Sequence, residues 1–494
     1  MLNKTKYKTF SERPFEVFKK DILQKGFRTS PSSQRSIKST VGVPLKKQVD
    51  SCFNGKEIGS TSYVKYSNNR FLKTGNIQND FLIDFSSVEY CKKTDNEILQ
   101  GNEILIAEDG GGDGLGESCL YVKDNKYNDY LCNGVLALRV EEDEKRNYIL
   151  GFLKSSYFKE FIDNNTPIAS TLRHSNGVAK EFIFPLFNNE DKDHKLLSLL
   201  VENLIDKEGR IKLKNDLINN GIISELSNIG TSIKEASKSL FMKNDFRCCA
   251  KLYNKDFLNL YNNIMNYKYG YFNLANKYIY KRGQNLQISN IGESYYLRKP
   301  KPNAYKLVTA QDFTENRTIS NLRYLGNKNK LLIIPNQCFV MNATGVNTGR
   351  TVFISHNTNL ISNINQWVIE NRKNNLAHTV FTSCFLSFLK QNNYFDYIKS
   401  PSNGGFVVEV HLQNFINIPK FPFHIQESIS SNYYNEVPKT LNDLKNYITN
   451  EKQRNIDLGI WQLNMECFEL KAKINKLVEK IILNKKIHTP FFLT

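Results

Sequence analysis

Four segments recur in the same order in the two halves of this chain, and together they force the reading of a tandem duplication. "NEILIAEDGGGDGLGESCLYV" (102–122) lines up with "NQCFVMNATGVNTGRTVFI" (336–354): an apolar strand, a glycine-containing turn, a second strand. Upstream, "NRFLKTGNI" (69–77) matches "NAYKLVTAQDF" (303–313). Downstream, "YILGFLKSSYFKEFID" (148–163) matches "VFTSCFLSFLKQNNYFDYIK" (380–399). Each half then passes through a Ser/Asn/Gly turn into a strand that runs into proline, "STLRHSNGVAKEFIFPLF" (170–187) and "SPSNGGFVVEVHLQNFINIPKFPF" (400–423). Short β-type runs with one helical stretch in each half predict two copies of an α/β domain.

Helical periodicity fills the remainder. "NNEDKDHKLLSLLVENLIDKEGRIKLKNDLINNG" (188–221) opens on acidic residues and closes on Asn-Asn-Gly, the chemistry expected at helix ends. Beyond it Ile222, Leu226, Ile229, Ile233, Ala236 and Leu240 follow a 4-3-4-3-4 spacing, as do Leu463, Cys467, Leu470, Ile474, Leu477 and Ile481. That is the spacing of a coiled-coil seam, and the two seams are expected to pack on each other. The expected division is an N-terminal helix and linker (1–40), a first domain (41–189), a central helical spacer (190–284), a second domain (285–435) and a C-terminal helical spacer (436–494). Residues 146–163 are expected to form one helical piece.

The glycine-rich loop of the first half invites a phosphate or metal reading, and its details exclude both. A phosphate-binding loop needs Gly-Lys-Ser/Thr opening a helix, whereas "GESCLYV" continues as strand without lysine. Glu108, Asp109, Asp113 and Glu117 would repel a phosphate. An EF-hand fails because the twelfth position from Asp109 is Leu120. The duplicate "NATGVNTGR" lacks the acidic residues and keeps Gly345 and Gly349, so the turn is architectural, with glycine supplying positive φ.

Catalytic constellations are missing from the sequence. No aminomethyltransferase tetrad is present, and Asp84, Glu89 and Lys92 do not have nuclease spacing. The nine cysteines include no CxxC and the seven histidines no HExxH, so no zinc site is expected. No run is long and apolar enough for a membrane span, the start does not read as a signal peptide, and a reducing cytoplasm is the expected location.

Binding chemistry remains. The formal charge of +18 suits a polyphosphate partner. Between 261 and 301 tyrosines interleave with Lys and Arg, among them Lys281, Arg282, Arg298 and Lys299; in the first half Lys65, Arg70, Lys73, Arg173, His174 and Lys180 are comparable. Asn342, Asn347, Arg350 and Asn403 at turns have the donor and acceptor groups that read base edges. An RNA or single-strand binder and a coiled-coil interaction scaffold are the competing classes.

The order globular domain, long helix, globular domain, long helix resembles the specificity subunits of type I restriction–modification systems. "LKTGNI … LQGNEILIAEDGGGDGLGESCLYV … LCNGVLALRV … YILGFLKSSYFKEFI … IASTLRHSNGVAKEFIFPLF" is similar to a target-recognition domain of that family. "TAQDF … IIPNQCFVMNATGVNTGRTVFI … VFTSCFLSFLKQNNYF … FINIPKFPF" fits the same template. The "FPLFNNEDKDHK" opening of the first helix departs from the family's PP-x-x-EQ type, which also admits a type IIB-like relative. The resemblance implies two tandem target-recognition-like α/β domains separated by long helices that pair as an antiparallel coiled coil. It implies a non-catalytic subunit that reads a bipartite double-stranded DNA target. Its partners would be DNA adenine methyltransferase subunits and a restriction/translocase subunit. It implies no cofactor on this chain; S-adenosylmethionine belongs to the methyltransferase.

Overall fold

The computed structural model describes residues 42–483 except 112–113, 167–172, 229–249, 298–300, 302, 321, 357–358, 374, 400–406, 408 and 440–443. The chain divides into two compact units, one drawn from 1–209, 439–453 and 467–494, the other from 210–438 and 454–466. The expected helix and linker over 1–40 lie outside the described residues, as do Ile229, Ile233, Ala236 and Leu240 of the first seam.

Two four-stranded sheets of the first unit are built from β1 (Ser51–Asn54), β2 (Tyr63–Val64), β3 (Asn69–Leu72), β4 (Glu89–Cys91), β5 (Ile104–Ala107), β6 (Ser118–Leu120), β7 (Asn128–Leu131) and β8 (Val135–Arg139). One sheet has the order β1-β8-β5-β6, and the smaller one β2-β4-β3-β7. Among these strands the pairing of β3 with β7 is the parallel one. The second unit holds β9 (Tyr278–Arg282), β10 (Ser294–Leu297), β11 (Tyr305–Val308), β12 (Arg323–Asn327), β13 (Cys338–Asn342), β14 (Thr351–Ile354), β15 (Leu360–Ser362) and β16 (Gln366–Asn371). Its sheets have the orders β9-β16-β13-β14 and β10-β12-β11-β15, with β11 and β15 parallel. Counted from the start of each copy, the two orders are identical. The duplication expected from sequence is thus a duplication of topology.

Equivalent residues do equivalent work. After β3, Asn76 accepts from the Lys73 amide at 2.8 Å; after β11, Asp312 accepts from the Thr309 amide at 2.7 Å. Four residues of spacing therefore carry the same tight turn in "KTGN" and "TAQD". In the glycine hairpins, the amides of Gly116 and Gly349 donate to Ala107 and Asn342 carbonyls, both at 2.8 Å. Both glycines have positive φ, 78° and 89°. A Cβ on Gly349 would stand 2.1 Å from the Phe395 ring, so the turn demands glycine for space as well as for conformation. Each copy is closed by a short antiparallel pair, Val43–Pro44 with Ile183–Phe184 and Tyr271–Asn273 with Asn417–Pro419.

Helices follow the strands: α1 (Asp143–Leu153), α2 (Ser156–Asn165), α3 (Lys192–Leu226), α4 (Lys255–Met265), α5 (Leu376–Gln391), α6 (Phe423–Tyr433), α7 (Tyr447–Asp457) and α8 (Ile460–Leu483). The single helix expected over 146–163 is two, because Ser155 caps α2 by accepting from the Phe158 amide. Strand β9 pairs with β16, so the second domain reaches back beyond the expected boundary at 285. Helix α3 does not close at Asn219-Asn220-Gly221 but continues to Leu226.

Within the first unit α8 runs antiparallel to α3, with Asp193 paired to Lys480 and Glu208 to Lys471. Its seam residues Leu463, Cys467, Leu470, Ile474 and Leu477 are buried as their spacing predicted. Lys471 and Lys480 meet residues 193–208 of α3, while four of the six residues of the seam expected beyond Gly221 lie outside the described residues. Helix α7 runs parallel to α3, Asn203 donating to the Tyr447 hydroxyl at 2.7 Å and Lys207 lying 3.3 Å from Glu451.

One loop seats each domain on these helices. In the first unit Glu208 of α3 accepts from the amides of Phe81 and Leu82 at 2.7 and 3.0 Å. Lys471 of α8 lies 3.3 Å from Glu208 and 3.4 Å from Asp80. Burial opposes the Lys471 ammonium, but the carboxylates outweigh it and hold its pKa above the ordinary lysine value. In the second unit the equivalent loop carries Arg317, fully buried, which donates to Asn219 at 2.6 Å and to Asn215, both on α3. Asn464 of α8 accepts from the Ile319 amide and donates to the Ile319 carbonyl, each at 3.1 Å. Since α3 runs on to Leu226, Asn219 is an interior helix residue and not a cap.

Replacing Lys471 by Ala should strand two carboxylates in the first unit and lower the unfolding free energy by about 3–5 kcal/mol. The double variant Glu208→Gln/Lys471→Met should recover much of that loss. Urea unfolding followed by circular dichroism checks both, and an unchanged midpoint for Lys471→Ala would refute the lock.

Candidate nucleic-acid interface

The glycine hairpin of the first domain gathers several of the expected binding residues. The His174 imidazole Nδ1 lies 2.7 Å from Asp109 Oδ1, with the ring half exposed. Arg173 is paired with Asp163 at 2.9 Å. The Lys180 ammonium donates to Asn54 Oδ1 at 3.3 Å, and Asn54 donates to buried Glu108 at 2.7 Å. Glu108 also accepts from the Gly177 amide at 2.8 Å. The acidic residues of the loop thus orient its basic ones. Among the described residues no group of three His, Cys, Asp or Glu could hold a metal ion.

In the second domain Arg350 donates to the Phe313 carbonyl and to Glu315, both at 2.8 Å, and Asn347 donates to the Ala310 carbonyl at 3.0 Å. Lys281 is paired with Glu370 at 2.8 Å. The Arg282 guanidinium lies 3.8 Å from the centre of the Trp367 ring, a cation–π contact, and burial lowers its pKa. Arg298, Lys299 and Asn403 lie outside the described residues.

Two expected contacts are corrected. Arg70 is buried, held by Asp129 through Nε at 2.6 Å and Nη2 at 2.7 Å, with the rings of Phe85 and Tyr127 each 4.2 Å away. Its guanidinium is engaged by Asp129 and flanked by the two rings, inside the domain. Asn342 is likewise buried, donating to the Ala310 carbonyl and accepting from Gln366, both at 3.0 Å. By contrast Lys65 is exposed, and Lys73 is half exposed beside Glu89 at 2.7 Å.

A group that sequence reasoning passed over stands above Arg70. The rings of Tyr66 and Tyr90 are 5.2 Å apart, those of Tyr90 and Tyr127 6.2 Å. Hydrogen bonding with Tyr66, then the proximity of Tyr66 and Tyr90, raises the Tyr127 phenol above its ordinary value. Tyr66 is 69% exposed, unusual for a ring in contact with another ring. The signal in the sequence was Lys65-Tyr66, Tyr90 with Lys92, and Lys126-Tyr127, three tyrosine–lysine neighbours scattered over three strands and turns.

No protein-family profile matches the sequence, and no curated protein matches it. Among solved structures the chain is similar to the S subunit of a type I restriction–modification system from M. genitalium, with 14% identity, a TM-score of 0.40, and coverage of 91% of this chain and 96% of that one. It is similar also to the HsdS subunit from Thermoanaerobacter tengcongensis, with 11% identity, a TM-score of 0.25, and coverage of 90% and 95%. A structure of type I R-M complex assembly gives 10% identity, a TM-score of 0.27, and coverage of 90% and 97%. Superpositions this loose carry no weight beside the chain's own duplicated topology.

Arg70→Ala should act on the fold of the first domain, leaving Asp129 buried without its cation and costing about 3 kcal/mol or more. The check is thermal unfolding of the variant. A variant that keeps wild-type stability but loses nucleic-acid binding would return Arg70 to the interface.

Proposed function

We propose that this chain is a non-catalytic DNA-recognition subunit of a restriction–modification or related methylation-linked complex. Its two α/β domains would each read a short stretch of one duplex. The observation that supports this reading most is a single topology used twice with different side chains at equivalent positions, on a chain of net charge +18. Two copies of one scaffold with divergent surfaces suit two different half-sites; a single-strand groove has no need of the repeat. The helices would carry the docking surfaces for methyltransferase subunits, which bind S-adenosylmethionine, and for a restriction/translocase subunit. Among the described residues no helix is long and apolar enough to cross a membrane.

The test is selection from random duplexes at about 150 mM salt, with and without a type I-like methyltransferase subunit, followed by sequencing. Two short motifs at fixed separation are expected. Stable binding to the methyltransferase with no enriched duplex would overturn the reading and favour an interaction scaffold.

A further inference from the structure

The hairpin glycines fix how the two large sheets correspond, since the Gly116 amide bonds to Ala107 as that of Gly349 does to Asn342. Ala107 pairs with Val135 and Asn342 with Gln366, so Arg139 of β8 corresponds to Glu370 of β16. The neighbouring strands agree, Arg139 standing opposite Ser51 and Glu370 opposite Ile279. After those strands the Gly55 and Gly283 amides donate to the Val135 and Gln366 carbonyls, both at 3.1 Å. The closing pairs correspond too: the Leu45 amide donates to the Phe182 carbonyl at 2.8 Å, the Leu274 amide to the Ile416 carbonyl at 2.9 Å.

Three equivalent positions then differ together. Three residues beyond Arg139 and Glu370 stand Glu142 and Lys373; two before Ser51 and Ile279 stand Val49 and Lys277; four beyond Phe182 and Ile416 stand Leu186 and Lys420. The first domain has no cation at any of the three, and exposed Glu142 lies between exposed Glu141 and Asp143. In the second domain all three are exposed lysines, and the fold brings them to one corner. The Arg372 amide, next to Lys373, donates to the Lys277 carbonyl at 3.2 Å. The Lys277 ammonium lies 4.1 Å from the centre of the Phe272 ring. Phe272 stands opposite Ile418, and Lys420, two residues further on, shares the face of Ile418 by strand alternation. Burial, then Lys420 and then Lys373 lower the Lys277 pKa, so the three charges act on one another. Among the described residues none of the three has an ion pair. Like charges held together without a carboxylate repel, and a polyanion relieves that repulsion.

We infer that this corner of the second domain, Lys277, Lys373 and Lys420, holds the phosphate backbone of duplex DNA. The first domain, with Val49, Glu142 and Leu186 at the same positions, makes no such contact. The inference rests on the DNA-recognition reading above and adds an asymmetry to it: both domains read bases, and the second also binds the duplex without regard to sequence.

The experiment uses the full-length chain, a duplex enriched from the random pool and a scrambled duplex of equal length, with affinities measured across a salt series. Lys277→Gln/Lys373→Gln/Lys420→Gln should lower the slope of log affinity against log salt by about 2 to 3. Both duplexes should weaken about 10- to 100-fold near 150 mM, leaving the preference for the enriched one unchanged. Lys47→Gln/Lys56→Gln/Lys123→Gln, which removes equal charge from exposed positions of the first domain, should change the slope by less than about 1. Urea midpoints equal to wild type show that the variants are folded. If loss of the Lys277 packing lowers the midpoint, Lys373→Gln/Lys420→Gln takes its place, with a slope change of about 2. A corner variant with wild-type slope and affinity overturns the inference and leaves the DNA reading intact; if it also fails to bind the methyltransferase subunit, the corner's occupant is that protein. Equal losses in the first-domain variant, or loss confined to the enriched duplex, also overturn it. A wild-type chain that binds neither duplex overturns the DNA reading itself.

Discussion

The seating of one irregular loop on a helix is an attachment that both domains share. In the first unit Glu208 receives two backbone amides of that loop and is balanced by Lys471. Burial pushes the Glu208 pKa up against the opposing pull of Lys471, and the two loop amides, both on Oε2, are the hydrogen bonds that hold the carboxylate in place. In the second unit the same loop turns the chemistry round: the loop supplies the cation, Arg317, and the helices supply neutral amides, Asn215, Asn219 and Asn464. Both solutions satisfy the backbone of an irregular segment that sheets alone would leave unpaired. The positions that do this are seven residues apart in sequence on each helix, Glu208 with Asn215 and Asn464 with Lys471.

Around that fixed attachment the copies keep what the fold needs and vary what it does not. Asn76 and Asp312 hold the same turn, Gly116 and Gly349 the same hairpin, and the strand orders coincide. In the small sheets the pair Arg70 and Asp129 of the first copy is replaced by Lys306 and Leu360 in the second. A scaffold conserved within one chain beside surfaces that differ is the arrangement by which two neighbouring but unlike targets can be read.

Much of the architecture was legible because it depends on local chemistry. Strand, glycine turn and strand recur in order, and positive φ at the hairpins has few substitutes for glycine. The limits are those of local information. A heptad spacing names a buried stripe without naming its partner: it could not say that Lys471 and Lys480, beside the α8 seam, meet residues 193–208 of α3. Asn-Asn-Gly has the composition of a helix end, yet Arg317, distant in sequence, recruits Asn215 and Asn219 and the helix runs on. Arg70 had the signature of a surface cation until β3 and β7 came side by side and gave it Asp129, and Asn342 that of a base reader until Gln366 enclosed it. The tyrosine group of Tyr66, Tyr90 and Tyr127 escaped notice for the same reason, its members being assembled only by strand pairing.

Two copies of one scaffold reading two targets is the central claim, and replacing one copy by the other tests it most directly. A chain in which residues 271–419 are exchanged for a second copy of 43–184 would be put through duplex selection beside the wild type. The account predicts that the exchanged chain enriches the same short motif twice, while the wild type enriches two different ones. Retention of both wild-type motifs by the exchanged chain would contradict it, since the bases read would then not depend on which copy stands in the second position.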